Sequence, residues 1–390
     1  MHDRELDVVV YGATGYTGQL VADYLARSGP ADLRWAVAGR SAARLADVAH
    51  AAKQVRGEAP RIVVASSEDP ASLREMAARA RVVLTTVGPY AKYGLPVVEA
   101  CVAEAADYVD LTGEPAFVAD VVQKLDASAR EGKVRLVSCC GFDSIPHDVG
   151  VLHAVRALRP HAPIAAAMTV RGYIRASGTF SGGTWHSALN AIAGGGPAVG
   201  GEPRREPSGR VIKKLDLGPH YEKVVHSWAV PTPMIDPWIV RRTARVLEEY
   251  GPQFSNGHYV CTGSLPRMLG TIAGGAAFFG LAKVGPTRKL LERVKAPGEG
   301  PTPEQRARGR FAITFVAEAA GKRVVTRVSG GDPGYGETAK MIAEAALALA
   351  RDRDLLPPRY GALTPAYALG ERLLVRLPAA GIPFEIVEGP

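Results

Sequence analysis

The stretch VVVYGATGYTG, residues 8–18, decides how this chain reads. The apolar run Val8, Val9, Val10, Tyr11 leads straight into Gly12, Gly15 and Gly18. An apolar pattern at helical spacing follows at Leu20, Val21, Tyr24 and Leu25. This is a strand, a glycine turn and a helix, the setting a dinucleotide-binding turn needs. Glycines let the backbone turn tightly and approach a pyrophosphate. The helix N-terminus adds unpaired amides and the positive end of its dipole. Gly12, Ala13, Thr14, Gly15, Tyr16, Thr17 and Gly18 are the candidate contacts. The spacing is G-x-x-G-x-x-G rather than G-x-G-x-x-G, so the turn alone leaves an ordinary strand–helix connection open.

The next strand bears on that choice. Leu33 to Ala38 is apolar and ends in Gly39-Arg40-Ser41. An NAD site places an acidic residue here for the ribose 2′-hydroxyl. Arg40 and Ser41 stand there instead, and a guanidinium suits a 2′-phosphate, so the pattern favours NADP(H) over NAD(H). The alternative is an arginine that ends a strand in solvent.

Up to about residue 140, apolar strands alternate with helical stretches: strands near 62–65, 82–86, 108–111 and 134–138, helices near 42–55, 70–79, 95–105 and 116–130. Such alternation implies parallel crossovers and a Rossmann-type, doubly wound α/β sheet, with ligands beyond the carboxyl ends of its strands. Those ends carry Val87-Gly88-Pro89-Tyr90, Asp110 to Glu114, and Cys139 to Pro146. Val87, Gly88 and Pro89 are candidate cofactor contacts, although a glycine–proline pair also simply ends a strand. Residues 1–150 are expected to form the NADP-binding domain and 151–330 a second, mixed α/β domain. The helices of 331–390 are expected to pack back on the first. In the second domain, Ser181-Gly182-Gly183-Thr184 and 194–210 read as loops, 297–308 as an exposed linker, and 311–319 with 323–329 as a hairpin.

The chain has 390 residues, 47% of them hydrophobic, and a net charge of +8, which suits two globular domains. Lys and Arg are scattered and no recognition motif is present, so nucleic acid is not an expected partner. Arg241, Arg242 and Arg245 read as the solvated face of a helix. The four cysteines lack metal-ligand spacing, so no metal is expected, and they read as reduced thiols. The polar start, MHDRELD, is not a signal peptide, and the expected location is the cytoplasm. One uncharged apolar segment, 268–282, is shorter than the roughly 20 residues that span a bilayer. It reads as a buried or interface helix, or as a surface that dips into a membrane or admits a lipid chain, flanked by Arg267 and Lys283.

YGATGYTG (11–18), AGRS (38–41), VGPYAKYG (87–94), YVDLTGE (108–114), CCGFDSIPHDVG (139–150), SGGT (181–184), GDPGYGETAKM (331–341) and LTPAYALGERL (363–373) together resemble the saccharopine dehydrogenase-like oxidoreductases. The closest likeness is to their trans-acting enoyl reductase branch. GFDSIP and DPGYG are the most specific of these motifs. The resemblance implies an NADPH-dependent oxidoreductase with an inserted α/β domain. It implies as substrate an α,β-unsaturated acyl chain on a polyketide synthase, on the way to cell-envelope lipids or glycolipids. It also implies peripheral contact through 268–282 with the inner face of the plasma membrane, and by analogy a homodimer. A saccharopine-type dehydrogenase of an amino-acid-like substrate and a membrane-associated cofactor-binding scaffold are the alternatives.

Enoyl reduction needs a donor for the thioester oxygen and a proton for the α-carbon. Tyr90, Asp143, Ser144 and His147 are the candidates. Asp143 qualifies as a donor only if burial raises its pKa; otherwise it orients a neighbour or caps a helix.

Overall fold

The computed structural model describes residues 4–178, 209–232, 234–292 and 300–390. The Ser181–Thr184 and most of the 194–210 expectations lie outside them.

In chain order the first elements are β1 (Leu6–Tyr11), α1 (Tyr16–Ser28), β2 (Trp35–Gly39), α2 (Ala42–Arg56), β3 (Arg61–Val64), α3 (Pro70–Arg79), β4 (Ala80–Thr85), α4 (Tyr90–Ala103), β5 (Asp107–Asp110), α5 (Pro115–Glu131) and β6 (Arg135–Val137). Next come α6 (Ile145–Leu158), β7 (Met168–Ser177), β8 (Val211–Lys214), β9 (His220–Glu222), β10 (Ser227–Pro231), α7 (Asp236–Val246), β11 (Gln253–Gly263), α8 (Leu265–Lys283), α9 (Gly285–Glu292), α10 (Pro303–Arg308), β12 (Arg310–Ala319) and β13 (Lys322–Gly330). The chain closes with α11 (Gly336–Arg351), β14 (Gly361–Leu363), α12 (Pro365–Ala379) and β15 (Phe384–Glu388).

Two compact units result. The first takes the chain up to Phe142 and then Gly334–Arg376. Its seven-stranded sheet runs β14-β6-β5-β4-β1-β2-β3, with every pairing parallel. This is the doubly wound order, with β14 added beside β6. Val8, Val9 and Val10 on β1 are fully buried, as a central strand covered on both faces must be. Buried Asp7 holds the return of the chain: Arg351 on α11 reaches it at 3.0 Å and Arg34 at 3.3 Å.

The second unit takes the chain from Asp143 onward, Pro301–Pro333 and Leu377–Pro390. Its mixed sheet runs β15-β13-β12-β7-β11-β10-β9, with β8 paired to β11. Apolar α6 lies on this sheet so closely that a Cβ on Gly150 would stand 2.4 Å from the Phe315 ring.

Several expectations need correction. The division falls between Phe142 and Asp143, not at 150, because α6 buries its apolar surface on the second sheet. The tail from Leu377 leaves the first unit, because β15 finds its hydrogen-bond partner in β13. Part of the expected linker is α10, started by a capping box in which Thr302 and Gln305 bond each other's backbone amides. Arg241 is buried rather than solvated. The 268–282 segment belongs to the 19-residue α8, of which only Met268 and Ala282 are buried. It is therefore not a core helix.

Gly150→Ala is expected to lower stability by about 1–3 kcal/mol through overpacking against Phe315. Chemical denaturation checks this; an unchanged midpoint would contradict the close helix–sheet approach.

Candidate functional site

The glycine turn is built by exclusion of side chains. Gly12 has φ +89°, and a Cβ there would stand 2.7 Å from Val87 and 2.8 Å from Thr86 Oγ1. A Cβ on Gly18 would stand 2.2 Å from the Gly12 carbonyl oxygen. Only glycine at both positions lets α1 press on the end of β1. The amides of Gly12 and Ala13 donate to Ala38 O at 2.9 and 3.2 Å, and that of Gly15 to Gly12 O at 2.9 Å. These residues shape the turn with their amides and have none to offer a ligand. The Tyr16 ring sits edge-on to Tyr335, with centroids 5.0 Å apart.

Helix α1 starts with no side-chain cap and no acidic residue in its first turn. Among the described residues, no acceptor meets the amides of Thr17 and Gly18. Unsatisfied amides at the positive end of a helix dipole fit a pyrophosphate.

At the end of β2, Arg40 is exposed. Ser41 caps α2, its side chain accepting the Arg44 amide at 3.4 Å. The Arg44 guanidinium donates to Thr14 O at 3.0 Å. Arg44 therefore joins the glycine turn to this corner, a role missed in the sequence although Arg44 stands one helical turn beyond Arg40.

The next strand ends are fastened mainly to one another. Thr86 Oγ1 donates to Gly12 O at 3.2 Å, and the Val87 amide to Thr85 Oγ1 at 3.2 Å. Val87 and Pro89 are half-buried and Gly88 is exposed, with Gly88–Pro89 in the cis form. Tyr90 corrects an expectation. Its buried hydroxyl donates to Thr85 O at 3.2 Å and accepts the Leu111 amide at 3.2 Å. Burial, with Asp110 adding to it, holds its pKa well above the usual tyrosine range. Tyr90 is a latch between β4 and β5, not a proton donor. The Glu114 carboxylate accepts the Tyr90 and Ala91 amides at 3.0 and 2.9 Å, so α4 is capped from a distance. Asp110 Oδ1 accepts the Thr112 and Cys139 amides at 3.0 and 2.9 Å, while burial lifts its pKa to about 6. The YVDLTGE motif is thus an interlock of strand ends.

In the second unit, Ser144, His147, Asp236 and His258 converge, all of them buried. Ser144 Oγ donates to Asp236 Oδ1 at 3.2 Å. His147 Nε2 lies 3.4 Å from Asp236 Oδ2, and the two imidazole centroids are 4.9 Å apart. Burial and then His258 hold His147 well below its usual range. Burial and then Arg241 hold His258 at about 3. Burial and then Asp143 push Asp236 well above the carboxylate range. Burial thus disfavours the charged form of each of the three. Ser144 and His147, fully buried, are corrected as proton donors to a substrate. Asp143 is half-buried at the start of α6, and dehydration lifts its carboxyl to about 6. It is not the helix cap, a position that Ser144 occupies.

The family model for the saccharopine dehydrogenase NADP-binding domain matches residues 8–137. A Mycobacterium tuberculosis protein provisionally named a trans-acting enoyl reductase is 38% identical over 410 residues, covering 97% of each chain. The trans-acting enoyl reductase of Mycobacterium bovis is 35% identical over 419 residues, again covering 97% of each. Among solved structures, apo saccharopine dehydrogenase (L-Glu forming) from Saccharomyces cerevisiae superposes with a TM-score of 0.57 over 98% of this chain and 99% of that one. At 13% identity, that likeness speaks for the fold alone.

Arg40→Asp is expected to weaken NADPH binding at least about tenfold, the loss of one charge-assisted phosphate contact, and to favour NADH. Fluorescence titration with both nucleotides checks it; unchanged NADPH affinity would remove Arg40 from the site.

Proposed function

The chain belongs to the saccharopine dehydrogenase-like oxidoreductases, in their trans-acting enoyl reductase branch, and from that premise we propose that it reduces the double bond of an enoyl thioester presented by a separate carrier. It is an NADP(H)-dependent oxidoreductase. The observation that carries the enoyl reading is likeness to enoyl reductases over 97% of the chain, at 35–38% identity. The uncapped start of α1 and exposed Arg40 fit the cofactor.

In this reading the amides of Thr17 and Gly18 hold the pyrophosphate. Arg40, with Ser41 and Arg44 beside it, holds the 2′-phosphate. Val87, Gly88 and Pro89 line the path of the nicotinamide ribose. The chemistry the cofactor supplies when bound is a hydride for the β-carbon. Negative charge then builds on the thioester oxygen and calls for preorganised donors. Asp143 is the acid we assign to the α-carbon. Its carboxyl, lifted to about 6, retains a proton in a fraction of molecules near neutral pH.

Helix α8 supports a lipid-linked substrate. Leu269, Ile272, Phe279 and Leu281 are exposed on it, whereas Phe278 packs with Ala282 and Leu291. Its 19 residues make it long and apolar enough to cross a membrane. Exposed apolar side chains between Arg267 and Lys283 suit the anionic cytoplasmic leaflet, and we place the enzyme there peripherally.

With enoyl thioesters on pantetheine and on carrier protein, NADPH consumption is expected, and none with saccharopine-type substrates. The reverse pattern would replace the enoyl reading with an amino-acid-like substrate. NADPH binding without turnover of either set would favour a non-catalytic scaffold. Flotation with anionic vesicles is expected for the wild type and not for a Leu269→Ser, Phe279→Ser variant. A wild type that fails to float would refute the membrane contact.

A further inference from the structure

The cluster of imidazoles in the second unit has a chemistry that proton transfer does not use. His147 comes from α6, Asp236 from the start of α7 and His258 from β11. One ligand atom from each lies within 4.8 Å of the others. All three residues are buried, at 0%, 0% and 2% exposure. Asp236 Oδ2 and both ring nitrogens of His258 make no hydrogen bond. Such buried polar atoms cost about 1–3 kcal/mol each when unmatched. Asn256, two residues before His258 on the same face of β11, is held at Pro237 O through Nδ2 at 3.3 Å, and its Oδ1 also has no partner. Unmatched polar atoms therefore gather around the first turn of α7.

We propose that His147, Asp236 and His258 bind one divalent transition-metal ion, zinc foremost, as a structural clamp joining α6, α7 and β11. Two imidazoles and one carboxylate form a nitrogen–oxygen donor set that zinc favours. The ion takes one lone pair from each neutral imidazole and holds the Asp236 carboxylate ionised, which answers Asp236 Oδ2 and one ring nitrogen of His258. Local charge permits it: Asp143 and Asp148 act on Asp236, and a single guanidinium, Arg241, acts on His258. A tetrahedral zinc site needs ligand atoms about 3.3 Å apart, so the widest gap closes on binding. Three protein ligands leave a fourth position for a small ligand such as water, and full burial keeps a bulky substrate from it. Because the ligands are far apart in the chain and follow no motif, residue spacing did not disclose them.

The test uses the intact protein. After dialysis against zinc and removal of free metal, about one ion per chain is expected by elemental analysis, with Tm falling when a strong chelator strips it. Cobalt in place of zinc is expected to give visible d–d bands without thiolate charge transfer. Asp236→Asn and His258→Gln, verified as folded by circular dichroism, are expected to lose the ion. Wild-type protein that binds neither zinc nor cobalt overturns the proposal, as does equal retention by both variants. Thiolate charge-transfer bands would likewise overturn it, assigning the metal to cysteine. Because the wild-type measurement decides by itself, a variant that fails to fold leaves the proposal falsifiable.

Discussion

The contact between Gly18 and the carbonyl of Gly12 is the constraint on which the candidate nucleotide site depends. No side chain fits in a gap where a Cβ would stand 2.2 Å from an oxygen. The absence of two side chains lets the first helix start directly over the end of the first strand. Its first amides are then left for an anion rather than for a cap. Gly12, turned to positive φ, makes room for Val87 and Thr86 at the end of the neighbouring strand. Two corners of the candidate nucleotide site are therefore positioned by steric exclusion, and the third is tied to the turn by Arg44 bonding Thr14 O.

Polar residues at the carboxyl ends of parallel strands invite a catalytic reading, and here most of them serve the fold. A buried amide needs an acceptor wherever the chain leaves the sheet. Asp110, Thr112, Glu114 and the Tyr90 hydroxyl supply acceptors for one another's segments. Once such a group is fully bonded and dry, its proton is hard to move. Asp143 differs because it keeps some access to solvent while its carboxyl stays dehydrated. Of the four candidate side chains, Asp143 is the one that combines partial exposure with a raised carboxyl pKa.

Helices α6 and α8 have similar apolar character and opposite surroundings. Every residue of α6 from Ile145 to Leu152 is buried, whereas α8 buries only Met268 and Ala282. Hydrophobicity measures the tendency to leave water and does not name what replaces it. For α6 the replacement is a sheet face shaped around Gly150. For α8 the described residues supply little, which is why lipid enters the proposed function.

Local pattern by itself determined the doubly wound sheet, the glycine turn, the arginine at the tip of the second strand and the hairpin at Gly321. Each depends on neighbours within a few residues: period-2 or period-3.6 hydrophobicity, a glycine where a Cβ has no room, a charge beside a turn. Tertiary structure alone decided the rest. It moved the boundary to Phe142–Asp143, because α6 needed the second sheet, and took the C-terminal strand to that sheet's edge. It also buried Arg241, removed Tyr90, Ser144 and His147 from the list of acids, and gathered His147, Asp236 and His258 from distant positions. The physical reason is common to these cases. Burial and hydrogen-bond partnership are properties of long-range contact, and they set both the pKa of a side chain and what it can bind.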